Sequence, residues 1–182
     1  MILEMLGYAL SYTIDADDML VGADEGFFSF ASQNLWTGAE ASIGRPLWDF
    51  VSGPAVQRAQ RSLLSRVRDT GRPIRLAFRC DAPALRREMT MAIHPGGAVG
   101  TVTFSTWVDW ETIRPAQALI DPRPSRCSGW IEMCAWCDRF RADGRWCEVE
   151  AATRTLEATA GDQLPRISHR LCGACTETLA SP

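Results

Sequence analysis

Four cysteines in two short hooks are the residues of this chain best suited to chemistry: Cys134-Ala135-Trp136-Cys137 and, thirty-four residues later, Cys172-Gly173-Ala174-Cys175. Two Cys-x-x-Cys hooks can close over one tetrahedral ion with little backbone strain, because each delivers a pair of thiolates from a single turn. The spacing predicts a structural Zn²⁺ site held by Cys134, Cys137, Cys172 and Cys175, with Zn–S bonds of ~2.3 Å and no position left for water or substrate. Iron is the alternative for an all-thiolate site; zinc is preferred because the hooks are knuckle-like and no third closely spaced cysteine marks a cluster motif. His169 stands three positions before Cys172. It is a candidate substitute ligand in a Cys₃His set, but the favoured reading makes it an outer group bonded to a carbonyl or thiolate. Cys127 and Cys147 rank below the hook cysteines as ligands, and the distant Cys80 reads as a small buried hydrophobe. Arg139, Arg141, Arg145 and Arg170 crowd the hooks, where they either neutralise a four-thiolate site of net charge about −2 or form a solvated surface. A competing reading of the same thiols is a redox sensor in which oxidation ejects the metal and forms disulfides between hooks.

Composition narrows the classes of function. The chain has 182 residues and a net charge of −3, so it offers no general attraction to nucleic acid or to an anionic membrane, and neither is expected as a partner. Its nineteen positive side chains are all Arg. No apolar run approaches the roughly 20 residues that cross a bilayer, and the start lacks a basic flank and secretory stretch, so a cytoplasmic location is expected. In a reducing compartment, seven cysteines with four clustered favour metal ligands or redox thiols over a disulfide scaffold. Enzyme templates fail residue by residue. No His-x-Glu and no proline before Cys134 or Cys172 supports a deaminase, no parallel βαβ pattern supports a thioredoxin-like site, and no lysine exists for a phosphate-cradling loop. Asp17-Asp18 and Asp24-Glu25 fall in a turn and at a helix start, where capping accounts for them. The expectation is a non-enzymatic protein.

The elements that must position these residues follow from periodicity. Tyr8 to Ile14 and Met19 to Ala23 read as two strands joined through Asp15–Asp18, and Asp24 or Glu25 opens a short helix with Phe27, Phe30 and Ala31 on one face. Turns fill Asn34 to Pro46. Ser52 can cap, and Pro54 can open, a longer helix to about Asp69 that carries Val56, Ala59, Leu63, Leu64 and Val67 on one side, with Arg58, Arg61, Arg66 and Arg68 largely toward solvent. Strands are predicted over Ile74–Cys80, Arg86–His94 and Val99–Val108. The order gives an α+β fold: a five-stranded antiparallel sheet with helices on one face, followed by a small metal-stapled module. The expected division is an α+β domain over 1–110, a proline-bearing linker over 111–125 and a Cys-rich module over 126–182. That module holds Trp130, Trp136 and Trp146 but few apolar runs, so a metal worth on the order of 10 kcal/mol is expected to supply what its core lacks.

Several of these runs resemble a PAS domain: Ile14-Asp15 with Val21; Asp24-Glu25-Gly26-Phe27 with Phe30-Ala31; Gly44-Arg45-Pro46-Leu47-Trp48-Asp49-Phe50-Val51 before the long helix; and the three-strand ending. The likeness spans roughly the first 108 residues. Cys134 to Cys137 with Trp146, and Ile167-Ser168-His169 before Cys172 and Cys175, resemble a small Cys-rich module that ends some bacterial PAS-containing signalling proteins. The resemblance implies a sensor or docking module, able to hold a small ligand against its sheet, that signals through a separate protein partner. It also implies pairing into a homodimer through the sheet or an N-terminal segment, here the apolar Met1–Leu6. A flavin photosensor of this family would carry a cysteine where Gln33-Asn34-Leu35-Trp36 stands, and haem-binding members place a histidine on the long helix, where residues 53–71 have none. A haem or flavin sensor is thus the remaining alternative, with His94 its axial candidate and a wet strand-end histidine the plainer reading. Trp48, Phe50, Phe27, Phe30 and Phe78 either line a small-molecule pocket or form plain core; the latter is favoured.

Overall fold

The computed structural model describes residues 9–160 and 164–180. Tyr8 and the Met1–Leu6 segment lie outside the described residues. The first half runs β1 (Ala9–Ile14), β2 (Leu20–Ala23), α1 (Glu25–Gln33), two 3-10 turns at Ala39–Ser42 and Leu47–Asp49, α2 (Pro54–Thr70), β3 (Ile74–Arg79), β4 (Leu85–Pro95) and β5 (Val102–Ile113). The strands form the expected five-stranded antiparallel sheet in the order β2-β1-β5-β4-β3. Period-two alternation sends Leu10, Ile14, Leu76, Met89, Ile93, Val102 and Phe104 to one face. All of these are buried, along with Phe27 and Ala31 of α1 and Val56, Leu63, Leu64 and Val67 of α2. Thr13 and Thr103 hydrogen-bond across the other face at 2.9 Å.

Local chemistry fixes the helix starts. Asp24 caps α1 by accepting the Phe27 N–H at 2.8 Å. At α2 the expected Ser52 cap does not form, because Gly53 takes the N-cap position with φ 93° and no side-chain bond. Only glycine fits there: a Cβ on Gly53 would sit 2.5 Å from the His169 carbonyl oxygen of the C-terminal module. Arg68 also departs from its expected solvent position. It reaches back to the β1–β2 turn, pairing with Asp18 at 2.8 Å and donating to the Asp15 carbonyl at 2.7 Å.

The second half comprises β6 (Trp130–Cys134), β7 (Phe140–Ala142), β8 (Arg145–Cys147), α3 (Val149–Ala160), β9 (Arg166–Arg170) and α4 (Gly173–Ala180). Its four strands are ordered β8-β7-β6-β9, and β6 pairs with β9 in parallel. A parallel crossover was not expected from the sequence. The β7–β8 hairpin and α3 fill it, and strands this short carry too few alternations to reveal their partner. The expectation of a tail without a core is also corrected, since Ile131, Phe140, Val149 and Ala152 form a buried cluster there, joined by Leu119 of the connecting segment.

The two halves are not independent. Cys134, Trp136, Cys172, Cys175 and Leu179 belong to the same buried cluster as Ile14, Leu63, Leu64, Val67 and Phe104. The connecting segment is packed as well. β5 continues to Ile113 opposite Leu85, Arg114 and Gln117 donate backbone bonds to Ala84 and Pro83 at 2.9 Å, and Leu119 is fully buried. Among the described residues no helix is long and apolar enough to cross a membrane.

Candidate metal centre

The parallel pairing of β6 and β9 decides the geometry of the site. Parallel neighbours end on the same side, so β6 delivers Cys134 and β9, through Leu171, delivers Cys172 to one end of the small sheet. The first hook is a tight turn. Ala135 donates to the Arg170 carbonyl at 2.8 Å, Asp138 donates to the Cys134 carbonyl at 3.0 Å, and Cys134 donates to the Arg139 carbonyl at 2.8 Å. Asp138 takes the left-handed conformation that closes such a turn, with φ 54°. The second hook is the entry to α4, where the Cys172 carbonyl accepts the Thr176 N–H at 2.9 Å and the Thr176 hydroxyl at 3.0 Å.

The four Sγ atoms all lie within 4.8 Å of one another, and Cys137 Sγ is 3.8 Å from Cys172 Sγ. A tetrahedron with Zn–S arms of ~2.3 Å has edges of ~3.8 Å, so the donor set matches the size of a thiolate-bound ion. Cys134, Cys172 and Cys175 are buried and Cys137 is half-buried. The backbone N–H of Cys172 points at Cys134 Sγ at 3.3 Å. Cys134 is drawn down to about 4, first by the Cys137 thiol donating to it, while burial above all pushes Cys175 up to about 12. Four adjacent thiolates repel one another, so full ionisation of the set requires a cation among them.

The other sequence candidates lie elsewhere. His169 sits on β9 outside the four-thiol group, and burial lowers its pKa. Cys147 Sγ donates to the Phe140 carbonyl at 3.6 Å, and Cys80 packs against the buried cluster that includes Phe27 and Met89, where burial pushes it up to about 12. Arg139 pairs with Glu148 at 3.2 Å, while Arg141 and Arg170 pair with Glu132 at 3.1 and 2.6 Å. These three arginines therefore meet carboxylates. The His94 ring nitrogens lie 3.2 Å from the Pro95 carbonyl and 3.1 Å from the Ser105 hydroxyl, and its neighbour Ile93 takes the core side. At the end of α1, Asn34 accepts from Arg87 at 2.8 Å.

Trp136 within the first hook and Asp138 just after it make contacts that the cysteine spacing does not announce. Trp136 is buried against Phe78, donates its indole N–H to the Ala77 carbonyl at 2.8 Å and accepts the Arg79 N–H on its own carbonyl at 2.9 Å. It thereby covers the outer edge of β3. Asp138, 7 % exposed, accepts the Asp81 N–H at 2.6 Å, and burial pushes its carboxyl up to about 7. Asp81, its side chain 1 % exposed, in turn pairs with Arg79 and, at 3.1 Å, with Arg114. A tryptophan between two hook cysteines was the one sequence signal for any of this.

No family model matches the chain, and no curated protein does. Among solved structures, the chain is similar to the PAS domain of Bordetella pertussis BvgS, with 18 % identity and a TM-score of 0.42 over 59 % of this chain and 79 % of that one. It is also similar to an RNA-binding light-oxygen-voltage receptor, with 21 % identity and a TM-score of 0.33 over 56 % of this chain. The match spans only 28 % of that receptor.

Proposed function

We propose that this chain is a non-enzymatic bacterial signalling protein: a PAS-like sensor or docking domain that passes its signal to a separate protein partner, joined to a module closed by a structural Zn²⁺ on Cys134, Cys137, Cys172 and Cys175. The observation that carries the metal reading is the convergence of four thiols, all within 4.8 Å, at the ends of two parallel strands. Bound there, zinc supplies no catalysis, since four thiolates complete its coordination; it supplies cohesion. The signalling reading draws on the sheet order and on the motifs that resemble PAS domains, and a fold by itself does not fix an activity. Elemental analysis of the untagged full chain together with its visible spectrum is the test. Stoichiometric zinc in a colourless protein is expected. Coloured protein after growth with haem or flavin supply would move the reading to a cofactor sensor, and protein lacking stoichiometric zinc or iron would defeat the metal centre.

A further inference from the structure

The four thiols are not equally accessible. A cleft of ≈ 290 Å³ opens between β3 and the first hook, lined by Trp136, Cys137 and Cys175 and flanked by Arg79, Arg86 and Arg139. Cys134 and Cys172 do not line it. Cys134 is fully buried with its sulfur accepting an N–H at 3.3 Å, which draws electron density from the lone pair that an electrophile needs. Of the four, only Cys137 is half-buried rather than buried. Arg86 and Arg139 stand at the cleft with side chains 43 % and 51 % exposed, sharing Glu148 at 3.6 and 3.2 Å. Guanidinium groups so placed favour the anion that leaves when a sulfur in the cleft is oxidised.

We propose that Cys137 is the oxidant-reactive edge of the four-thiol site: a small hydroperoxide entering this cleft oxidises Cys137, Cys172 resolves the product, and the metal leaves. This rests on the metal reading above. In the first step the Cys137 thiolate attacks a peroxide oxygen; an S–O bond forms, the O–O bond breaks, and the departing hydroxide or alkoxide takes a proton from water. The sulfur is oxidised by two electrons to a sulfenic acid and the peroxide is reduced by two. In the second step the Cys172 thiolate, its sulfur 3.8 Å away, attacks the sulfenic sulfur; the S–S bond forms and hydroxide leaves. The ion has then lost two of its four donors, and the disulfide ties the two hooks together.

The test uses the metal-loaded full chain and limiting hydrogen peroxide, with released zinc followed by a colorimetric chelator and each cysteine followed by differential alkylation and peptide mapping. Cys137 is expected to be consumed roughly tenfold faster than Cys134, as its cleft position implies, with zinc release in step and a Cys137–Cys172 cross-linked peptide as product. Oxidation beginning at Cys134, a first disulfide between Cys134 and Cys137, or oxidation of Cys80, Cys127 or Cys147 with zinc retained would overturn the proposal while leaving the metal centre standing. Protein that carries no metal at the outset would overturn both. The Arg139→Ala variant, which keeps all four thiols, should retain zinc and release it more slowly under peroxide; an unchanged rate would remove the arginines' part in the site.

Discussion

Asp138 shows how much of the four-thiol site depends on a residue outside the cysteine hooks. Its carboxylate satisfies the buried Asp81 N–H, and its φ of 54° closes the first hook. Asp138→Ala removes the acceptor and puts a residue poorly suited to that conformation into the turn, so a loss of about 2–3 kcal/mol is expected by thermal or denaturant unfolding. Asp138→Asn keeps an acceptor oxygen and tolerates the left-handed backbone, so it should stay within about 1 kcal/mol of the parent. Equal losses in both variants would show that charge rather than the hydrogen bond matters. The hook cysteines were legible in the sequence because their pattern is local: three residues of spacing define each half. Asp138 with Asp81 was not, since fifty-seven positions separate the partners and neither belongs to a periodic run.

At the scale of elements, the start of α2 and the end of β9 meet where a glycine is required. Gly53→Ala would place a Cβ 2.5 Å from the His169 carbonyl at φ 93°. A loss of about 2–4 kcal/mol is expected, from the strained dihedral and from the displacement of β9, together with weaker zinc retention against a competing chelator. Trp136 binds the halves from the other side. Trp136→Ala should cost about 3–5 kcal/mol, whereas Trp136→Phe, which keeps the packing on Phe78 and loses the bond to Ala77, should cost about 1 kcal/mol. Unfolding curves for the pair separate packing from hydrogen bonding. The strands of the five-stranded sheet could be read from alternation in Leu76, Phe78, Met89, Met91 and Ile93. The far end of β5 could not, because Glu111 and Thr112 look like a linker and are strand only through their pairing with Arg87 and Arg86 of β4.

For the whole molecule, one buried cluster stretches from Ile14 to Leu179 and includes three of the four thiol residues. Removal of the metal should therefore be felt beyond the module. A chelator-treated chain is expected to melt at a lower temperature, with the Arg79 amide exchanging hydrogen at least about tenfold faster once its acceptor, the Trp136 carbonyl, is set free. Exchange at Arg79 that ignores the metal would mean that the hook holds its turn unaided. Unfolding followed by tryptophan emission and by far-ultraviolet dichroism should trace one transition in the loaded protein, because the halves share their interior.

Trp136 also shields the molecule from its own copies. A strand at the margin of a sheet is a template for any other chain, and at β3 the hook turn occupies the groups of Ala77 and Arg79 that would otherwise offer themselves. Stripped of its ion, the protein should thus cluster in a concentration-dependent way, visible by light scattering and reversed on adding zinc back before the particles mature. The solubility of the chain is, on this view, set by sulfur chemistry at a place that its surface charge does not report.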